Sequence, residues 1–438
     1  MRKMRGLLLL SGVFLFTAVL LRAQSDRVLY VPDYTDSLLK AMAEHTDRQK
    51  AKNDSTTASI LDRIEAEEKA EEENKKVIRF DFGNIVKPVS PDIFPSAFHF
   101  PPEPQYRTGT CWAFSGISLV ESEVARLTGR KIKLSEMFIV YHEYLEKCRN
   151  FIRRRGRFHI SQGSEANAVL RMIKKYGAVP KDIYPGHTGD EIYDHEQLAA
   201  EIRSFMNDIE ERDCWDEAYA LAFVRVILDK HLGPLPGTFE FEGRAVTPRE
   251  FSEQLLRFKP DDYVGVISTL ALPFFTQGRL DAWDNWWNDS SYYNLPLDDW
   301  YRLLKSAVEA GYTASLGGDI SEPGYNGFED AAVVPDFDIP AAYINQDSRE
   351  FRQYNRTTGD EHGIHAVAVN KVDGHEWFLI KDSSRSGRWG KFEGYFFYRD
   401  DYIRLKMLFY LVHKDALRDI MEKFEHTASG AITPVDNH

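Results

Sequence analysis

The sequence predicts an α+β fold. Three observations carry this: apolar residues recur at helical spacing after Cys111, strand-like apolar runs crowd the last third, and an Asp373-Gly374 turn joins two of those runs. Helices first and an antiparallel sheet later is the order such folds show. With 438 residues and 43% hydrophobic content, the chain can bury the core of one large domain or of two.

The N-terminal region comes first. Met1, Arg2, Lys3, Met4 and Arg5 give a positive start, and Gly6 to Leu21 is almost wholly apolar. A small residue, Ala23, precedes Gln24, which fits cleavage after residue 23. The apolar run of 16 residues is shorter than the ~20 a spanning helix needs. The expectation is therefore a signal peptide over 1–23 and an exported protein, periplasmic or secreted, with no stable membrane anchor. Residues 24–78, with "ILDRIEAEEKAEEENKK", form a charged helical or flexible segment, a linker or a pro-segment. The domain proper is expected over 79–438.

The proline-punctuated stretch "FDFGNIVKPVSPDIFPSAFHFPPEP" predicts extended or looped chain. Phe114, Ile117, Val120, Val124 and Leu127 then mark one helical face, and Gly129 is its natural stop. Cys111 thus stands at or near a helix N-terminus. "LSEMFIVYHEYLEKC" and "SEANAVLRMIKKYG" predict two more helices, the second closed by Gly177. "HAVAVNKVDG", "EWFLIKD", "EGYFFYRDDY" and "LKMLFYLV" predict the strands.

The formal net charge of −13 argues against nucleic-acid binding by the surface as a whole. The basic burst "CRNFIRRRGRF" reads as a solvated loop. The aromatic-rich stretch Trp283 to Leu303 reads chiefly as core or subunit contact. "HEYLE" at His142 lacks the second histidine of a zinc-protease helix. No metal or cofactor is expected.

Three cysteines are present: Cys111, Cys148 and Cys214. In an oxidising compartment one disulfide can form, and Cys148 with Cys214 is the pairing that spares Cys111; three free thiols are the equal alternative. A thiol attacks a carbonyl as its thiolate, which a helix N-terminus and a nearby imidazolium both favour. His365, at the head of the strand "HAVAV", can supply the imidazole. Asp382, at the end of the next strand, is 17 positions later and can accept a hydrogen bond from it. Nucleophile, base and orienting group are then all present.

"QYRTGTCWAF" resembles the active-site signature of the papain superfamily, and the nearer similarity is to its bleomycin hydrolase/aminopeptidase C branch. "KLSEMFIVYHEYLEKC", "GSEANAVLRMIKKYGAVPKDIYP", "GIHAVAV" and "FLIKDSS" followed by "EGYFFYRDDYI" resemble successive segments of that branch. The similarity covers roughly 95–190 and 300–425. It implies a papain-like cysteine proteinase fold, a helical half and an antiparallel β half, with a long insertion at about 190–300. It implies a cysteine peptidase: Cys111 as nucleophile, His365 as general base and acid, Asp382 as orienting group and Gln105 in the oxyanion hole. Gly163 and Ser164 match the glycine pair that holds substrate. It also implies peptide substrates and a homo-oligomer. The chain departs from the pattern at Asp382, where the family has asparagine; at Ser384, where a tryptophan shields the hydrogen bond; and at Ser164, where a second glycine stands, a change expected to narrow the cleft. An aminopeptidase is expected. An endopeptidase of the same fold and an inactive peptide-binding homologue are the alternatives, and the tail "HTASGAITPVDNH" leaves the first choice open because it does not resemble the branch's final residues.

Overall fold

The computed structural model describes residues 36–52, 58–187, 189, 192–421 and 423–424. The expected signal peptide and the C-terminal tail lie outside the described residues. Within the charged segment, helices α1 (Ser37–Lys52) and α2 (Ala58–Asn74) form. α1 is anchored at its start: Asp36 accepts hydrogen bonds from Arg385 Nε (3.2 Å) and Trp389 Nε1 (3.0 Å). One face further along, Thr46 Oγ1 donates to Asp194 Oδ2 at 3.4 Å.

The helical half holds α3 (Cys111–Thr128), α4 (Glu136–Arg153) and α5 (Ala166–Tyr176). α3 ends where expected, because Gly129 takes the left-handed conformation (φ 73°) that side chains disfavour. α4 begins at Ser135, whose hydroxyl accepts from the Phe138 amide. α3 is buried on nearly every side, packed between α4, α5 and the sheet. α6 (Glu196–Glu211) and α7 (Glu217–Leu232) extend the same core. A hairpin, β1 (Phe239–Phe241) with β2 (Arg244–Val246), and one turn of helix, α8 (Pro248–Glu250), follow.

The second half is built on a ten-stranded sheet. Its strands are β3 (Tyr263–Ile267), β4 (Thr276–Gly278), β5 (Tyr292–Asn294), β6 (Ala314–Gly318), β7 (Tyr325–Asn326), β8 (Ala331–Ala332), β9 (His362–Val372), β10 (His375–Lys381), β11 (Tyr395–Arg399) and β12 (Met407–His413). Their order is β4-β5-β3-β12-β6-β9-β10-β11-β8-β7, antiparallel except at β3/β5 and β8/β11. The fold is therefore α+β. Because β3 pairs with β12, part of the stretch 190–300 belongs to this sheet.

α9 (Leu297–Glu309) and α11 (Asp400–Lys406) share a core with the sheet around Trp300, Tyr402 and Tyr410. A short α10 (Gln346–Tyr354) carries the fully buried Arg349 to the Ser268, Arg404 and Leu408 carbonyls. Phe82 and Phe94, from the proline-punctuated stretch, cover another patch of the sheet with Trp377 and Phe397. Cys148 and Cys214 are both free thiols. Among the described residues no helix is long and apolar enough to cross a membrane.

Candidate active site

α3 starts with Cys111, and no side chain caps its N-terminus or places an acid in its first turn. The sulfur therefore sits where unpaired amides and the helix dipole favour negative charge. Cys111 is half-buried. Trp112 fixes the turn by donating from Nε1 to the Gln162 carbonyl at 3.1 Å, and the Gly109 amide donates to Gln162 Oε1 at 2.9 Å.

The sheet supplies the imidazole, and it is His362, not His365. His362 Nε2 lies 2.8 Å from Asp382 Oδ1, and the same ring hydrogen-bonds Cys111. With Nε2 engaged, Nδ1 is the nitrogen left for sulfur. Burial alone would depress the imidazole's pKa, but Asp382 and Cys111 together hold it well above the usual 6.5. Asp382 is buried too, yet His362 and the Ser384 amide bring its pKa down to about 2. The pair is thus poised as carboxylate and imidazolium.

His365, the expected base, is brought neither to Asp382 nor to Cys111. It is fully buried behind α3, where Nδ1 lies 2.9 Å from Ser118 Oγ. Lys381 Nζ donates to that same hydroxyl at 2.5 Å. Burial, then the Lys381 charge, push the His365 pKa well below its usual value, so this ring is neutral.

A β-bulge explains the exchange. From the turn, Val372 faces His375 and Ala368 faces Leu379. Continued unbroken, that register would set His365 opposite Asp382. Instead Ala366 faces Ile380 and His365 faces Lys381, so Val367 is an extra residue on β9. Its carbonyl accepts a hydrogen bond from the Ala97 amide at 3.2 Å. A slip of one residue exchanges the faces of a strand. Lys381 and His365 both turn toward Ser118, and Asp382 turns to the face that His362 shares. The missed signal is Gly363: a Cβ there would lie 2.9 Å from Ser115 Oγ and 3.3 Å from the Trp112 backbone. Only glycine lets β9 approach the first turn of α3 so closely, beside the residue that reaches Cys111.

Gln105 is tied to the segment that carries Asp382. Its amide donates to the Ser383 carbonyl at 2.8 Å, and its Oε1 accepts from Ser383 Oγ at 2.6 Å. Its Nε2 donates to the Thr108 carbonyl at 2.7 Å. The tryptophan that the resemblance implied at position 384 is replaced in its shielding role: Tyr325 donates to Asp382 Oδ2 at 3.1 Å, and Asp382 is only 1% exposed. Ser164 and Cys111 line one cavity. The Ser164 hydroxyl is committed to Glu143 Oε1 at 2.7 Å, and the Gly163 carbonyl accepts from Lys147.

His142 stacks on Tyr176 with ring centres 3.8 Å apart. The basic burst is not a loop throughout: its first half closes α4, where Arg149 and Arg153 pair with Glu217. Trp300 is core, and Trp286 donates to Glu143 at 2.6 Å.

No protein-family model matches the chain. It is 20% identical to aminopeptidase C of Lactococcus lactis subsp. cremoris over 437 residues, 88% of this chain and 94% of that protein. It is 22% identical to aminopeptidase C of Lactobacillus delbrueckii subsp. lactis, covering 68% and 76%. For aminopeptidase C of Streptococcus thermophilus the identity is 23%, and the chain spans 58% of that protein's length. The fold is similar to that of PepW from Lactobacillus rhamnosis HN001, with a TM-score of 0.60 at 16% identity, over 91% of this chain and 96% of that one. The curated relatives and the similar fold bear out the resemblance to aminopeptidase C.

Proposed function

We propose that this relative of aminopeptidase C is an exported, papain-like cysteine peptidase that removes N-terminal residues from peptides. The Cys111 thiolate attacks the scissile carbonyl. His362, as imidazolium, protonates the leaving amine and then takes a proton from the water that releases the acyl group. Asp382 keeps the ring oriented and charged. The Gln105 side-chain amide and the Cys111 amide stabilise the oxyanion, each such donor contributing about 3 kcal/mol to the transition state.

One observation carries this reading: a single imidazole links a buried carboxylate at 2.8 Å to a sulfur at a helix N-terminus. The named relatives support the aminopeptidase choice, and the signal-like first 23 residues support export.

The test compares fluorogenic peptides bearing free and acetylated amines, with wild type and Cys111→Ala. Turnover of free-amine substrates only, abolished by Cys111→Ala, is the expected result. Cleavage of blocked peptides would instead identify an endopeptidase. Equal rates for the two proteins would end the catalytic reading. Recovery of a mature chain beginning near Gln24 outside the cytoplasm checks export.

A further inference from the structure

The cavity that holds Cys111 and His362 is small, about 290 Å³, near the lower limit of roughly 300 Å³ for ligand pockets. Glu165, Asp284 and Asp360 line it, and Leu316 and Phe409 form its apolar wall. Asp284 reaches it from an unexpected place. It belongs to residues 279–291, which join β4 to β5 at the edge of the sheet. These two strands pair antiparallel with Gly278 opposite Tyr292, so a two-residue turn would suffice to connect them. The chain carries a long loop there instead, and the loop leaves the sheet for the helical half.

Side chains of α4 and α5 dock it there. Trp286 Nε1 donates to Glu143 Oε1 of α4 at 2.6 Å, and Asn167 Nδ2 of α5 donates to Asp289 Oδ2 at 2.8 Å. The Arg171 guanidinium, also on α5, lies over the Trp286 and Trp287 rings, 4.5 and 4.3 Å from their centres. Within the loop, the buried Asn285 donates to the Leu280 and Asp289 carbonyls, each at 3.0 Å, and Arg279 donates to Asn288 Oδ1 at 3.0 Å. A loop with close ends and its own internal bonds is held compact. At its root Leu280 packs with Tyr292 and with Phe409, which walls the cavity. Further along, Asp284 covers Gly163 so closely that a Cβ there would collide with its carboxylate. The Gly163 carbonyl is engaged from the other side by Lys147.

We infer that residues 279–291 form a strap from the sheet to the helical half, which closes one end of the groove at Cys111 and limits how many residues a substrate places before the scissile bond. The inference rests on the peptidase reading and names the element that confines it to chain ends. The direction follows from the chemistry. The leaving amine takes its proton from His362, which Asp382 backs from just past β10, so the leaving segment lies on that side. The acyl segment runs the other way, past Leu316 of β6 and Phe409 of β12 toward β5 and the strap. There it meets Asp284 over Gly163, with the Gly163 carbonyl already bonded to Lys147. One residue before the scissile bond fits, and a longer chain collides.

The probes are leucyl chloromethyl ketone and Ala-Ala-leucyl chloromethyl ketone. Both carry a free amine, and the electrophile sets the same leucine at Cys111, so they differ only in length. Mass spectrometry reads the rate of labelling without any turnover. Wild type is expected to be labelled about tenfold or more faster by the short probe, because the strap clashes with the long one. Two variants release the strap. Asn167→Ala combined with Trp286→Ala frees it from the helical half, and replacement of residues 279–291 by an Asn-Gly turn removes it. Each is expected to raise the long-to-short ratio of labelling rates about tenfold. Circular dichroism confirms that the variants are folded, and the double substitution carries the test should the shortened loop unfold the sheet edge. A chain ending at Phe424 is expected to keep the wild-type ratio. Equal rates for the two probes on wild type, a ratio unchanged in the folded strap variants, relief by ending the chain at Phe424 instead, or no labelling of any of these proteins overturns the proposal. The expected labelling pattern in a wild type that hydrolyses no peptide would overturn the peptidase reading and leave the strap standing.

Discussion

His362 Nε2 lies 2.8 Å from Asp382 Oδ1, and the carboxylate's charge favours the protonated form of the ring that faces Cys111. The other histidine of the same strand, three residues on, hydrogen-bonds Ser118 instead, and that hydroxyl accepts from the buried Lys381. The two rings can be separated by experiment.

His362→Ala is expected to lower kcat about 10²–10⁴-fold, the range for loss of a general acid–base group. His365→Gln is expected to keep kcat within a few-fold while lowering the thermal midpoint, since a fully buried ring is replaced. Steady-state kinetics and thermal unfolding on both variants check this. A dead His365→Gln that is fully folded would reverse the assignment.

Asp382→Asn removes the charge that raises the His362 pKa, so the alkaline limb of kcat/KM is expected to move to lower pH. Stability changes on two sides. The carboxylate's folded pKa of about 2 is below its usual 3.8, so its contribution is present above 3.8 and is lost as pH falls toward 2. The imidazole's folded pKa is raised, so its contribution is complete below 6.5 and is lost as pH rises through the elevated value. Thermal midpoints measured from pH 2 to 10 should therefore vary less in Asp382→Asn than in wild type at both ends.

Gln105→Ala is expected to cost roughly 10²–10³-fold in kcat with little change in KM, as loss of one oxyanion donor does. Its bond to Ser383 also holds the Asp382 segment. Gln105→Glu keeps the Oε1 acceptor for Ser383 and removes the Nε2 donor, with its bond to the Thr108 carbonyl. If that variant restores both activity and stability, the donor role is refuted.

Gly363→Ala tests the close packing of β9 on α3. The added methyl would meet Ser115 Oγ at 2.9 Å and push the strand away from the first helical turn. A displacement of about 1 Å at the reacting groups costs on the order of 10²-fold in rate. Stopped-flow acylation by a chromogenic substrate should slow by that order, with far-ultraviolet circular dichroism unchanged.

Much of this was legible beforehand. The helix beginning at Cys111 and ending at Gly129, the two helices after it and the late strands all follow from periodicity and glycine punctuation. So does a carboxylate at the end of β10 facing a histidine near the start of β9. Which histidine was not legible. The two-residue turn at Asp373-Gly374 implies an unbroken register, and in that register His365 is the partner. The inserted Val367 is an ordinary apolar residue in an apolar run, so nothing in composition or alternation marks it. Tyr325 was equally hidden, because it reaches Asp382 from a two-residue strand with no periodic signature. The carboxyl groups of the neighbouring cavity come from three distant parts of the chain, and only tertiary packing assembles them.

Helix α1 grips both rims of the molecule. At one end Asp36 holds the loop beyond Asp382, and ten residues later Thr46 meets Asp194, whose backbone bridges to Arg107 just upstream of Cys111. Parting the helical and sheet halves like a hinge must therefore either carry this brace along or tear it from one side. Protection of the α1 amides against exchange with heavy water becomes a gauge of how often the halves separate.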